Sequence, residues 1–377
     1  MTRRIANVAI NLSLALLTCL AVLGGFEVAL RVFLPQKLYR FPRTLFRNDP
    51  DLVFGLTPGF QGAVRTPEYS THVRVNSLGL RGPEVVPKSP GTLRVLGLGD
   101  SFVSAFNVEE NDTFLATAQK WLQGVTAGGR VEIVNAGTPN YGTWHELRLL
   151  HRLIPTVHPD AVILCVYVGN DVQNNLAPRE TAVRNGYLVA RNEVSGILPY
   201  PLRSWLQQNS MAYVFLWYGW NELRPLAGLG HVDPLRDFKA LVSVKTAPYL
   251  ETGYRISGDL LREIRDELDS HQIALLVALI PAELQVYPGH FEALVRRQRL
   301  DSAAFNLELP EERWARLAQG LGIPVVDLLP TFRSHVSGPG LYMHLDGHLT
   351  REGNRLAGEA IGRTLLAVLG SLKAGSR

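Results

Sequence analysis

From Leu93 onward, short apolar runs alternate with amphipathic stretches, and this alternation restricts the fold more than any other feature of the chain. The strand candidates are Leu93–Leu98, Val131–Val134, Ala161–Val168, Ile273–Ile280 and Pro324–Leu328. Helical periodicity falls between and after them, over about 113–124, 143–155, 254–271, 310–321 and 351–369. The runs lack the period-two pattern of a half-wetted strand, so each is expected to be buried on both faces. Such strands separated by helices make a mostly parallel sheet covered on both sides. Sheets of this kind bind ligands beyond the carboxyl ends of their strands.

The other strongly constrained segment is the N-terminus. Ile5 to Phe26 is a run of 22 residues without a charge, preceded by Arg3 and Arg4. As a helix it would reach about 33 Å, enough for a hydrocarbon core of about 30 Å. A cleaved signal peptide is the alternative, but the run is long for one and no small-x-small site follows it. Leu16-Leu17-Thr18-Cys19 only loosely matches a lipoprotein box. An uncleaved signal anchor over residues 1–30 is therefore expected. Arg31, Lys37, Arg40, Arg43 and Arg47 follow the span, so flanking charge does not set the orientation. Long soluble domains translocate largely regardless of such charge. The body is accordingly expected outside the cytoplasm, facing the periplasm or cell exterior from a single-pass inner-membrane anchor.

Between anchor and sheet, residues 31–90 carry Pro and Gly punctuation and are expected to be linker and leader strands. The catalytic domain is expected over 91–372. Residues 176–250 break the alternation with Trp205, Tyr213, Phe215, Trp217, Tyr218 and Trp220, as a lid or cap would, or as a small satellite core would. The basic and acidic residues, 38 and 34, are spread along the chain. With no basic stripe interleaved with aromatics, no nucleic-acid partner is expected. The two cysteines, Cys19 and Cys165, lie in apolar runs and are expected to be small buried hydrophobes, without disulfide or metal-ligand spacing.

Four short blocks carry candidate chemistry. Gly99-Asp100-Ser101-Phe102 follows the first strand, where a serine hydroxyl at a strand-to-helix turn is exposed above the sheet edge. The same residues also make ordinary turns. Asn135-Ala136-Gly137 follows the second strand, and a glycine there lets the backbone approach an ester and offer its amide; a plain turn glycine is the alternative. Gly169-Asn170-Asp171 follows the third, where Asn170 either donates to developing negative charge or closes an Asx turn. Finally, His344-Leu345-Asp346-Gly347-His348 offers a base for the serine, with Asp346 placed to orient His348 and His344 as competitor.

In this order the four blocks resemble the SGNH (GDSL-like) hydrolase family, in particular bacterial members with an N-terminal membrane span. The resemblance runs over roughly residues 72–369 and includes the leader Asn76-Ser77-Leu78-Gly79-Leu80-Arg81-Gly82. Two blocks depart from the usual pattern: Gly169 is followed directly by Asn170, where Gly-x-Asn is usual, and Asp346-Gly347-His348 stands for Asp-x-x-His. The resemblance implies a three-layer αβα flavodoxin-like fold and a serine esterase. Ser101 would be nucleophile and His348 base, with Asp346 orienting it. The Ser101 and Gly137 amides and the Asn170 side chain would form the oxyanion hole. No metal or organic cofactor is implied. The substrate would be an acyl ester, acetyl first among them, of a glycan or lipid.

Two other readings compete with hydrolysis. The stretch from Tyr342 to His348 is similar to that of the alginate-type O-acetyltransferases, whose Asp-x-His block precedes the serine; here it follows, which favours a hydrolase. A non-catalytic membrane-tethered binding module is disfavoured because all four blocks hold competent residues.

Overall fold

The computed structural model describes residues 2–36, 38, 41–126, 129–184, 186–191, 198–223 and 236–375. Five parallel strands form the central sheet: β1 (Thr92–Gly99), β2 (Arg130–Gly137), β3 (Ala161–Tyr167), β4 (Ala274–Ile280) and β5 (Val325–Asp327). Their spatial order is β5-β4-β3-β1-β2. That is the flavodoxin-like order, whose direction of winding switches between β1 and β3. All five expected strands are present, each within a few residues of the expected bounds.

The alternation of side chains explains the layers. On one face Ala161, Ile163 and Cys165 of β3 and Ala274, Leu276 and Ala278 of β4 belong to one buried cluster. Two helices of that cluster contribute Phe114, Leu115, Ala118 and Leu122, and Leu356, Ala357 and Ile361. These are α1 (Phe114–Val125) and, closing the chain, the helix Arg351–Gly375. The opposite face is covered by α2 (Thr143–Val157), α3 (Pro248–Ser270) and α4 (Leu309–Gly320). Val162, Leu164 and Val166, and Leu275, Val277 and Leu279, are buried beneath these. The three inner strands β1, β3 and β4 therefore lose water on both sides, while the edge strands β2 and β5 are half-buried.

The leader is built from short antiparallel pairs, Phe46–Asp49 with Val53–Leu56 and Gln61–Arg65 with Ser70–Arg74. Its Arg81 is buried beside the turn that follows β1. The guanidinium donates to the carbonyls of Ser104, of Ala105 at 2.6 Å and of Val108 at 2.7 Å. Burial pushes it down to about 10, which leaves it a cation at neutral pH.

Residues 176–250 hold a hairpin (Thr181–Arg184 with Tyr187–Ala190) and the helices Tyr200–Asn209, Met211–Leu223 and Arg236–Val242. The chain divides into two compact units, and this stretch is shared between them. One unit comprises Met1–Phe41, Arg65–Glu68 and Val194–Asp233; the other, with the sheet, is the remainder. In the first, the helix Thr2–Phe33 contains an apolar span, Asn7–Phe33, of mean hydropathy 2.1. Phe26 and Leu30 of that helix form a small core with Met211, Ala212 and Phe215. Phe215 thus sits in a satellite core, whereas Trp205 and Trp217 are exposed. The side chains of Tyr218 and Trp220, and residues Lys37 and Arg40, lie outside the described residues. Glu27 caps the helix Met211–Leu223: its carboxylate accepts from the Met211 amide at 3.0 Å, the Ala212 amide at 2.8 Å and the Ser210 hydroxyl at 3.0 Å.

Cys165 is buried in β3 as expected, but Cys19 is exposed. The expectation treated an apolar neighbourhood in sequence as burial in protein, yet this helix shows its apolar surface outward along its span.

Candidate active site

Strands β1, β2 and β3 end side by side, with Gly99 of β1 paired to Gly137 of β2. A side chain at Gly99 would place its Cβ 2.9 Å from the Cys165 carbonyl oxygen of β3, so the strand end closes only with glycine there. Asp100 then turns the chain. Its Oδ1 accepts from the Phe102 amide at 2.8 Å and caps a short helix, Ser101–Ser104. The sequence placed the next helix some ten residues on; the cap starts one at the serine itself.

Ser101 Oγ lies 2.8 Å from Nε2 of His348. On the far side of the ring, Nδ1 is 3.4 Å from Oδ2 of Asp346. With the ring proton on Nδ1, the serine hydroxyl donates to Nε2. The Asp346 carboxylate then stabilises the ring once it takes that proton. Gly347 adopts φ 76°, a left-handed turn, and Met343 bonds across it, its amide donating to the His348 carbonyl at 2.8 Å. This turn brings Asp346 and His348 together although only one residue separates them. His344 is exposed. The Phe102 ring packs on His348 at 4.7 Å between centroids.

Asp346 has a further partner that has no signal in the sequence. The Tyr69 hydroxyl, from the leader, donates to the same Oδ2 at 2.9 Å. Two groups thus converge on one buried carboxylate oxygen, which fixes its position.

Asn170 follows β3 and makes no side-chain capping bond to the helix Asp171–Leu176, so the Asx-turn alternative is not what is seen. Its Nδ2 points toward Asp100 Oδ2 at 3.4 Å, the oxygen that also lies 3.4 Å from Ser101 Oγ. Gly137 is placed differently from expectation. Its amide donates to the Asn135 side chain at 3.0 Å and so is already engaged. Its Cα packs on the nucleophile helix, where an added Cβ would stand 2.3 Å from the Ser104 amide nitrogen. Gly137 is a close-approach glycine, and Gly137→Ala is expected to destabilise the fold by about 1–3 kcal/mol, read as a lowered Tm.

The residue that offers a backbone amide nearby is Asn140. It sits at φ 65°, a left-handed conformation that asparagine tolerates better than most residues. Its amide makes no hydrogen bond among the described residues, and it lines a cleft together with Gly169 and Asn170. The Thr138-Pro139-Asn140 turn chemistry was the available signal.

Below this edge lie three buried carboxyls, Asp100, Glu146 and Asp171. Burial raises all three, and their mutual repulsion raises Glu146 and Asp171 further.

A family model described as the SGNH hydrolase-like domain of the acetyltransferase AlgX matches residues 244–376. The matched SGNH segment carries Asp346 and His348, while Ser101, Gly137 and Asn170 precede it. No curated protein matches the sequence. Solved structures similar to the chain include a lipase/acylhydrolase from Enterococcus faecalis, at 12% identity and TM-score 0.38, covering 72% of this chain and 94% of that one. A catalytic mutant of an acetylxylan esterase from Geobacillus stearothermophilus gives 12%, 0.39, 72% and 93%. A two-domain esterase active on acetylated mannans gives 12%, 0.40, 74% and 50%. Likenesses at this level bear on neither substrate nor mechanism.

Proposed function

We propose that the chain is a serine ester hydrolase that removes an acyl group, acetyl first among them, from a glycan or lipid outside the cytoplasm. The observation that carries this reading is the 2.8 Å approach of Ser101 Oγ to His348 Nε2, with Asp346 behind the ring. Ser101 attacks the ester carbonyl as His348 takes its proton. The negative charge that develops on the carbonyl oxygen is met by the Ser101 amide, the Asn170 side chain and, in place of Gly137, the Asn140 amide. His348 returns its proton to the leaving alkoxide. Water then enters, activated by the same imidazole, and frees the acid. None of these steps calls on a metal or organic cofactor.

Asn170 tests the mechanism directly. A donor aimed at an oxygen that becomes charged only on the way to the tetrahedral state lowers the barrier more than it aids binding. Asn170→Ala is expected to cut kcat on p-nitrophenyl acetate by about 10²–10³ with little change in KM. A destabilised protein of normal turnover would remove Asn170 from the site.

Transfer of the acyl group to a sugar hydroxyl is the second reading, favoured by the AlgX description of the matched model. Acetylated oligosaccharide as product, in place of free acetate, decides for it. In either case the apolar span Asn7–Phe33 would hold the enzyme to the inner membrane with its body in the periplasm.

A further inference from the structure

A cleft of about 360 Å³ opens beside Asn170, lined by Asn140, Gln173, Asn174, Glu180 and Asp237 among others. Three features set its chemistry. First, it is rich in side-chain amides, groups that both donate and accept and so match the hydroxyls of a sugar. Second, both polar atoms of Gln173 and Oδ1 of Asn170 are buried without a hydrogen-bond partner in the protein. Unsatisfied buried polar atoms are costly, and they cluster where a ligand supplies the missing partners. Asn174, by contrast, is tied down, its Nδ2 donating to the Tyr141 carbonyl at 3.1 Å. Third, among the described residues no lysine or arginine lines the cleft, whereas Glu180 and Asp237 do. The one other titratable ring, His145, stacks on Tyr141 at 4.6 Å; burial pushes it down to about 4 and keeps it neutral.

We infer that this cleft is a sugar subsite that takes an uncharged glycan and rejects a polyuronate, with Gln173 as the specificity-determining contact. The inference rests on the ester-cleaving reading only for what happens to the bound sugar, since the subsite itself is a matter of binding. A glycan hydroxyl pair entering beside Gln173 partners its orphaned amide once that side chain turns toward the cleft. A uronate ring brings its carboxylate against Glu180 and Asp237 with no cation to receive it, and like charges so placed cost affinity.

The test is calorimetric titration of the full chain, held in lipid nanodiscs, with cellotetraose and with oligogalacturonate of the same length. Turnover of p-nitrophenyl acetate is measured alongside. Cellotetraose is expected to bind at least tenfold more tightly than the uronate, and Gln173→Ala to weaken it by about tenfold. The exposed pair is changed together, Glu180→Lys with Asp237→Lys, and is expected to move the preference toward the uronate without disturbing the fold. Equal or tighter binding of the uronate by the unaltered protein overturns the inference. So does a charge-reversed protein of unaltered preference. Binding that follows this pattern in a protein that leaves p-nitrophenyl acetate intact sustains the subsite and sinks the ester reading. Turnover of p-nitrophenyl acetate without sugar binding does the reverse.

Discussion

Ser101→Ala is expected to abolish labelling by fluorophosphonates and to lower ester turnover by about 10⁴–10⁶-fold, with the fold intact. In the proposed mechanism the oxygen removed is the atom that bonds to substrate, so no neighbour substitutes for it. The change itself is mild for the structure. The Ser101 hydroxyl is half-buried at the start of a four-residue helix whose cap is Asp100, and that cap does not involve the hydroxyl. Measuring labelling, kcat and Tm on the same preparations separates loss of chemistry from loss of fold. Equal labelling of the altered and unaltered protein would move the nucleophile elsewhere.

His348→Ala is expected to be nearly as damaging, because an unassisted serine hydroxyl is a poor nucleophile at neutral pH and the two groups act as a unit. Combining His348→Ala with Ser101→Ala should cost little beyond either alone. His344→Ala is expected to leave kcat within about twofold, since His344 is exposed while His348 Nε2 reaches the serine at 2.8 Å. Steady-state kinetics on the three proteins decides it. A His344 variant that loses more activity than the His348 variant would shift the base by four residues.

The sheet was legible in the sequence because burial on both faces leaves a mark that needs no knowledge of the partners. Leu164 and Cys165 point to opposite sides of β3, yet both must be apolar. The positions of Ser101, Asn170 and His348 were legible for a related reason. Each follows or closes a regular element, and turn residues announce the ends of elements. Tyr69 could not be found in this way. Its contact with Asp346 spans 277 residues of chain, and nothing in the leader distinguishes it from the other tyrosines. A glycine has two uses that look alike in sequence, exposing an amide and admitting a neighbour; at Gly137 the structure shows the neighbour, the backbone at Val103 and Ser104. Asn140 and Gln173 stand in turns and short helices rich in asparagine, where one polar residue looks like the next until the cleft singles out those without partners.

The Glu27 carboxylate, which accepts three hydrogen bonds at the start of the helix Met211–Leu223, ties the N-terminal helix to a segment far along the chain. A leader peptide is dispensable when the mature chain makes no use of it. Here a protease cutting beyond Glu27 would carry off the cap, for about 0.5–2 kcal/mol of helix stability, and with it the Phe26 ring that meets Phe215 at 5.6 Å. The apolar side of a helix 185 residues downstream would be left facing water. Phe26 and Leu30 therefore belong to the same small core as the helix Met211–Leu223, so the N-terminal helix is a structural member of the unit it begins.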